Sequence, residues 1–207
     1  MWRWFIQFFA PACRNHLQDV ATVNSDHLAS HLIVAKESLD DRNFSRTVVL
    51  LIQHDDDGTF GVVLNRMLPV GLETIWEQLS ETTSVIDRPV HAGGPVEGPL
   101  MCLHESPEVA DREVLGGVYF TSEKDRLEML ASQSNGRAQF FVGFAGWGPG
   151  QLESEIKSGS WMIAKAEPSD IFERDPMLWA LAIRRARGEW FLGMLGIEGS
   201  PFGPTVN

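Results

Sequence analysis

Residues 47–66, TVVLLIQHDDDGTFGVVLNR, constrain the fold more than any other stretch of the chain. TVVLLIQH is a continuous β-branched and aliphatic run, the pattern of a strand buried on both faces. DDDG then supplies a turn, and TFGVVLNR returns as a second strand. Two strands around an Asp-Gly turn read as a hairpin, and hairpin partners are antiparallel. A sheet that contains this pair is therefore mixed or mostly antiparallel, and a doubly wound parallel sheet is disfavoured.

The remaining periodicities fit that frame. HLIVA (31–35), LMCLHE (100–105), GGVYFTS (116–122), AQFFVGFAGW (138–147) and SWMIAKA (160–166) read as strands, with a further short one inside RPVHAGGPVEGP (88–99). Leu72, Ile75, Trp76 and Leu79 recur at helical spacing and predict one inward helix face. Ser122 is placed to cap a second helix whose inner face is Leu127, Leu130 and Ala131. Asp175-Pro176 is a helix start, MLWALAI is apolar nearly all round, and Arg184, Arg185 and Arg187 suit a last turn that Gly188 ends. Residues 10–30 admit a short helix, and the tail PFGPTVN reads as loose. Strands outnumber helices, which gives an α+β fold: one compact domain of mixed, mostly antiparallel sheets with flanking helices.

The 28 acidic residues against 17 basic ones leave a formal charge of −11, which argues against direct nucleic-acid binding because a binder must neutralise phosphates. Cys13 and Cys102 are too few for a disulfide framework, and no spacing of Cys and His fits a structural zinc. A cytoplasmic protein with no metal and no cofactor is the expectation. The start, MWRWFIQFFAPAC, is strongly aromatic. It is shorter than the about 20 apolar residues of a transmembrane span, so none is expected. Gln7 interrupts the apolar run, and Ala-Pro-Ala-Cys echoes a lipoprotein cleavage site only faintly. An extension that docks on its own domain, on a partner or on a membrane surface fits better.

FAGWGPGQLESEI (144–156) joins a strand to a helix through Gly146, Trp147, Gly148, Pro149, Gly150 and Gln151. Strand, glycine-rich turn and helix start are the ingredients of an anion cradle. Nucleotide versions need more. A P-loop requires Lys and Ser/Thr after its last Gly, where this chain has Gln151 and Leu152; Pro149 also lacks an amide donor. The stretch reads better as a structural corner, with Leu152 and Ile156 inward, Glu153 paired with Lys157, and Gly159 closing the helix. A positive φ at Gly148 would make the corner intolerant of a side chain. Ligand binding is the alternative. His54 with its run of three Asp lacks the alternating acids of a calcium loop and reads as a hairpin turn. His91 and His104 are candidate bases or ligands, but no nucleophile elbow accompanies them. Arg66 could grip a carboxylate or phosphate, or pair with a neighbouring acid. No catalytic set assembles from these residues.

HLIVA with LDDRNFSRTVVLLIQHDDDGTFGVVLNR, then VHAGGPVEGPLMCLHE, GGVYFTS, VGFAGWGPGQLESEIKSGSWMIAKA, SDIF and LWALAIRR, in this order, resemble the YqgE/AlgH family of bacterial proteins. The resemblance covers residues 28 to 187, leaving 1–27 and 188–207 as extensions. It implies coiled, partly bifurcated sheets with flanking helices in a cytosolic protein, without an established enzyme activity and with a name that points to regulation. It implies binding candidates at Asn65, Arg66, Gly93, Gly94, His104, Gly146, Trp147, Gly148, Gly150 and Gln151, with Pro95 and Pro149 in the same shared stretches. The chain departs from the family pattern at Glu37 and Arg42, where relatives tend to have Pro. The expected function is a non-enzymatic binding or regulatory protein with an unknown protein or small-molecule partner. The alternative is a small-anion sensor or enzyme built on Arg66, His104 and the Gly146–Gly150 turn.

Overall fold

A computed structural model describes residues 28–79, 86–134, 136–173 and 175–194. The helix expected within residues 10–30 and the tail PFGPTVN fall wholly or mainly outside those residues. The hairpin expected from the sequence is present as β2 (Val48–Asp55) and β3 (Gly58–Val63), with Asp55 opposite Gly58. The two loop residues are therefore Asp56 and Asp57, and Gly58 is the first residue of the return strand rather than part of the turn. β1 (His31–Ala35) lies between β2 and β10 (Trp161–Lys165), antiparallel to both.

The unbroken apolar runs of β1 and β2 now have a cause. Leu32, Val34, Leu50 and Ile52 enter one core with the C-terminal helix α5 (Leu178–Met194), which contributes Leu178, Ala182, Ile183 and Ala186. Ile33, Ala35, Val49 and Leu51 enter another on the opposite face with Trp147, Leu152 and Trp161. Burial on both faces requires apolar residues at odd and even positions alike.

β9 (Ala138–Trp147) is the spine of the molecule. Its first half pairs antiparallel with β6 (Val96–His104) and parallel with β5 (Pro89–Ala92); its last residues pair with β3. One long strand thus serves two diverging sheet portions, with Gly143 at φ +72° where it passes from one to the other. β5 also pairs with β4 (Met67–Gly71), and β6 continues into the hairpin of β7 (Arg112–Leu115) and β8 (Val118–Thr121). A third core joins Val90, Leu100, Cys102 and Phe140 to helix α1 (Leu72–Leu79) and helix α2 (Lys124–Ser132). The fold is α+β, with five helices among the described residues on a curled, mostly antiparallel sheet.

Four local expectations are corrected. Leu79 is exposed, so α1 buries Leu72 and Trp76. Ser122 does not cap α2; its amide and hydroxyl bond the Asp111 carboxylate. MLWALAI is not buried all round, because Met177 and Leu181 face solvent. Gly188 does not end α5, which runs on to Met194 while the Lys165 amide donates to the Glu189 carboxylate at 3.1 Å. A glycine inside a helix costs roughly 0.5–1 kcal/mol relative to alanine, and a Cβ on Gly188 would meet nothing within 4 Å. Gly188→Ala is expected to raise stability by about that amount, read as a higher urea midpoint with unchanged slope.

Candidate functional site

The Gly146–Gln151 bend is built as a clamp. β9 delivers Trp147, 5% exposed, between Phe44 and Trp161. Helix α3 (Gln151–Lys157) follows, with Leu152 fully buried and Ile156 packed beside it. The Glu155 carboxylate accepts the Trp147 indole N–H at 3.0 Å and the Trp161 indole N–H at 2.8 Å on Oε2; on Oε1 it accepts the Gln151 amide at 2.9 Å. Gln151 Oε1 in turn accepts the Gly148 backbone N–H at 3.1 Å. The amide that an anion would need is thus spent inside the protein, and a carboxylate stands where an anion would bring like charge.

The positive φ lies at Gly150 (+71°), not at Gly148. A Cβ at either would be tolerated sterically, since the nearest atom to one at Gly148 is Gln151 Oε1 at 3.9 Å and Gly150 has nothing within 4 Å. Conformation alone separates them. Gly148→Ala is expected to leave the melting midpoint within the about 0.5 kcal/mol of an ordinary surface change, whereas Gly150→Ala should cost about 1 kcal/mol, checked by parallel thermal melts. Gly159 closes α3 as expected, at φ +88° with its amide on the Ile156 carbonyl. Glu153 reaches His54 Nε2 at 3.3 Å instead of Lys157.

The other candidates also hold backbone. Asn65 Oδ1 accepts the Val48 N–H at 3.0 Å, and its amide donates to the Arg46 carbonyl at 2.8 Å, closing the end of the β2–β3 pair. The Arg66 guanidinium donates to the Ser45 carbonyl at 2.9 Å. Gly93 and Gly94 press on β9: a Cβ on Gly93 would sit 2.1 Å from the Gly143 carbonyl oxygen, and one on Gly94 2.1 Å from the Phe144 carbonyl carbon. Gly146 lies under the Phe144 ring.

His104 is fully buried on β6 beside Tyr119; its Nδ1 accepts the Ser106 N–H at 3.2 Å, which leaves the proton of the neutral ring on the enclosed Nε2. Burial holds its pKa below the usual imidazole value, against the pull of Asp111 and Glu108. His104 is the register partner of Ala138, eight residues before Gly146 along β9. At about 3.3 Å per residue that is roughly 26 Å of extended chain. The imidazole and the bend do not share one concavity.

A different site is assembled where β5 meets β9. His91 and Gln139, 5% and 8% exposed, form a polar floor, with His91 Nε2 3.4 Å from the Gln139 amide nitrogen and its ring tilted over Phe141. On one side a cavity of about 210 Å³ is walled by Asn65 and Met67, by helix α4 (Pro168–Phe172) and by Glu173 and Asp175. On the other a cavity of about 200 Å³ is walled by Arg88, Arg137 and Phe172. Asp170, in the first wall, is neutralised by a two-pronged bond from Arg185 at 2.7 and 2.8 Å. The floor therefore lies between a rim that carries Glu173 and Asp175 and a rim that carries the guanidinium groups of Arg88, which also donates to the Gln133 carbonyl, and of Arg137, which also stands 3.6 Å from the Glu105 carboxylate. Of the residues singled out in the sequence, His91 forms the floor and Asn65 touches it. Gln139 and Arg88 escaped the sequence reading because they meet only through the parallel β5–β9 pairing, and Glu173 because it arrives at the end of α4.

His54 makes a further polar line: Nδ1 meets Thr59 Oγ1 at 2.7 Å and Nε2 meets Glu153. Thr59 is 7% exposed and stands directly across the strand pair from His54. Among the described residues no group of three or more His, Cys, Asp or Glu is placed to hold a metal ion, and no helix is long and apolar enough to cross a membrane.

Residues 32–190 match the family model DUF179, described as AlgH-like. A UPF0301 protein of Streptomyces coelicolor is 38% identical over 193 residues, which cover 87% of this chain and 95% of that protein. A UPF0301 protein of Myxococcus xanthus is 36% identical over 163 residues, covering 76% and 90%. The solution structure of the AlgH protein from Pseudomonas aeruginosa superposes with a TM-score of 0.62 at 26% identity, over 93% of this chain and 99% of that one.

Proposed function

We propose that this chain, which belongs to the AlgH-like family, is a non-enzymatic binding protein that receives a small molecule bearing both an anionic and a cationic group on its His91–Gln139 floor. The observation that carries this reading is the floor itself: two buried polar side chains between a rim with Glu173 and Asp175 and a rim with Arg88 and Arg137. Buried polar groups facing a cavity favour a ligand that hydrogen-bonds to them, and opposed charges orient a dipolar one. Each cavity is small against the roughly 300–1,000 Å³ of drug-sized sites, which favours a ligand of amino-acid size.

The anion-sensor or enzyme reading has less support. The bend spends its Gly148 amide on Gln151, Arg66 is committed to the Ser45 carbonyl, and His104 is enclosed. The Thr59–His54–Glu153 line offers a hydroxyl, an imidazole and a carboxylate in order, but its hydroxyl belongs to a buried cross-strand pair beyond a substrate's reach. The same reading places the protein in the cytoplasm, supported by its two cysteines and acidic balance, and gives it a regulatory role through the ligand rather than through contact with nucleic acid.

Backbone amide shifts of the full chain titrated with glycine, glutamine and arginine test the proposal. Saturable shifts in residues 90–93, 138–140 and 171–173, weakened at least tenfold by Gln139→Leu and by Glu173→Gln, are expected. Silence of those amides toward all three probes would remove it.

A further inference from the structure

The two cavities that meet at the His91–Gln139 floor are opposite in sign, and one of them is walled by apolar side chains. The cavity bounded by α4 has Leu64, Ile171 and Leu178 in its lining, all three buried. No Lys or Arg lines it, and its acids are Asp170, Glu173 and Asp175. Arg185 takes Asp170. Asp175 accepts the Met177 N–H at 2.7 Å, and among the described residues neither Asp175 nor Glu173 has a cationic partner. Both are exposed at the mouth of the cavity, where they favour a cation.

The second cavity has the reverse charge. Arg88 and Arg137 line it, and no Asp or Glu does. Each guanidinium has five N–H donors, so its contact with Gln133 or Glu105 leaves donors for an anion. The Gln139 amide has two N–H groups, and the one beyond its His91 contact suits the same anion. Arg137 precedes Gln139 by two residues and Arg88 precedes His91 by three, about 7 and 10 Å of extended chain. The anionic rim and the cationic rim therefore lie on opposite sides of the floor, with buried apolar walls between the floor and Glu173. An α-amino acid such as glycine carries both its charges on one carbon and satisfies one rim at most. A methylene stem between the charges lets a single molecule reach both, and the apolar walls strengthen its binding by about fourfold for each CH2 buried.

We infer that the ligand is a straight-chain carboxylate with a cation at its far end; this rests on the ligand reading of the floor given above. The carboxylate lies on Gln139 beside Arg88 and Arg137. The stem runs into the cavity against Leu64, Ile171 and Leu178. The terminal ammonium or guanidinium stands at the mouth between Glu173 and Asp175. Chain length and the distal charge, rather than an α-amino group, set the specificity.

Nuclear magnetic resonance titration of the full chain with glycine, pentanoate, 4-aminobutanoate and 5-aminopentanoate tests this. Binding of 5-aminopentanoate is expected to be at least tenfold tighter than that of glycine or of pentanoate, and about fourfold tighter than that of 4-aminobutanoate. Glu173→Gln should abolish the advantage over pentanoate. Nuclear Overhauser contacts should join the methylene beside the ligand nitrogen to the Ile171 and Leu178 methyls, and the methylene beside the carboxylate to the Phe172 ring. Equal affinity for glycine and 5-aminopentanoate, or the reversed set of contacts, would overturn this inference and leave the dipolar-ligand reading standing. Equal affinity for pentanoate would overturn the distal cation and the dipolar reading together. Silence toward the whole series would also overturn the inference, and the dipolar reading falls with it only if glutamine and arginine are silent too.

Discussion

Gly94→Ala is expected to destabilise the fold by about 3 kcal/mol or more, the top of the usual overpacking range or beyond it. The added Cβ would stand 2.1 Å from the Phe144 carbonyl carbon, 2.2 Å from its oxygen and 2.3 Å from the Ala145 nitrogen. Those atoms are backbone, so no side chain can swing aside. The strand that would have to move is β9, which pairs with β3, β5 and β6 at once. The Gly93 carbonyl also accepts the Val63 N–H and the Gly93 N–H bonds Val142 at 2.8 Å, so the segment cannot retreat without breaking ladder bonds. Domains are stable by about 5–15 kcal/mol, so this one methyl removes a large fraction. Urea unfolding of the variant beside Gly188→Ala checks it, with shifts in opposite directions. A Gly94→Ala midpoint equal to that of the parent would mean that the close approach of the 93–94 segment to β9 is not what holds the two sheet portions together.

Glu155→Ala is expected to cost about 3 kcal/mol. It strips the acceptor from two indole N–H groups on residues only 5% and 3% exposed, and each orphaned buried donor costs about 1–3 kcal/mol. Glu155 is itself half-buried, so water repairs part of the loss, which keeps the sum below the maximum. Glu155→Gln is the informative companion. Its amide oxygen can still accept both indoles, but its new NH2 group faces the Gln151 NH2 and that bond is lost, so it should cost about 1–2 kcal/mol, still less than Glu155→Ala. Near-ultraviolet circular dichroism, which reports the edge-on Trp147–Trp161 pair, should change in Glu155→Ala and persist in Glu155→Gln. Equal effects of the two variants would show that the carboxylate does not organise the bend through those indoles.

Local signals were legible in the sequence. The β2–β3 hairpin, the inner faces of α1 and α2 in outline, and the corner from β9 into α3 all follow from residues a few positions apart. What failed, failed where a distant partner outbid a near one. Glu153 left Lys157 for His54, because the hairpin loop lies against α3. Ser122 left the α2 terminus for the Asp111 carboxylate. Gly188 did not stop α5, because Glu189 anchors the next turn to Lys165 and its near side is open. The bend itself was readable as a corner, yet the positive φ moved to Gly150 and the Trp147–Glu155–Trp161 network gave no sign. Its members are helix and strand residues of ordinary type whose meeting depends on β10 returning beside β1. The assembly of the His91–Gln139 floor was least legible of all, although His91 itself stood out as a candidate. His91 and Gln139 lie far apart in sequence and become neighbours only through a parallel pairing that nothing local announces.

The central claim is that the Gly146–Gln151 bend exists to clamp a strand to a helix, with the Gly148 and Gln151 amides bonded within the protein. Titration of the full chain with inorganic phosphate, followed at the amides of Gly148 and Gln151, tests it most directly. The expected result is that both signals stay in place throughout. A saturable movement centred on them would contradict it, because an anion would then be held by donors that bond Gln151 Oε1 and the Gly148 carbonyl.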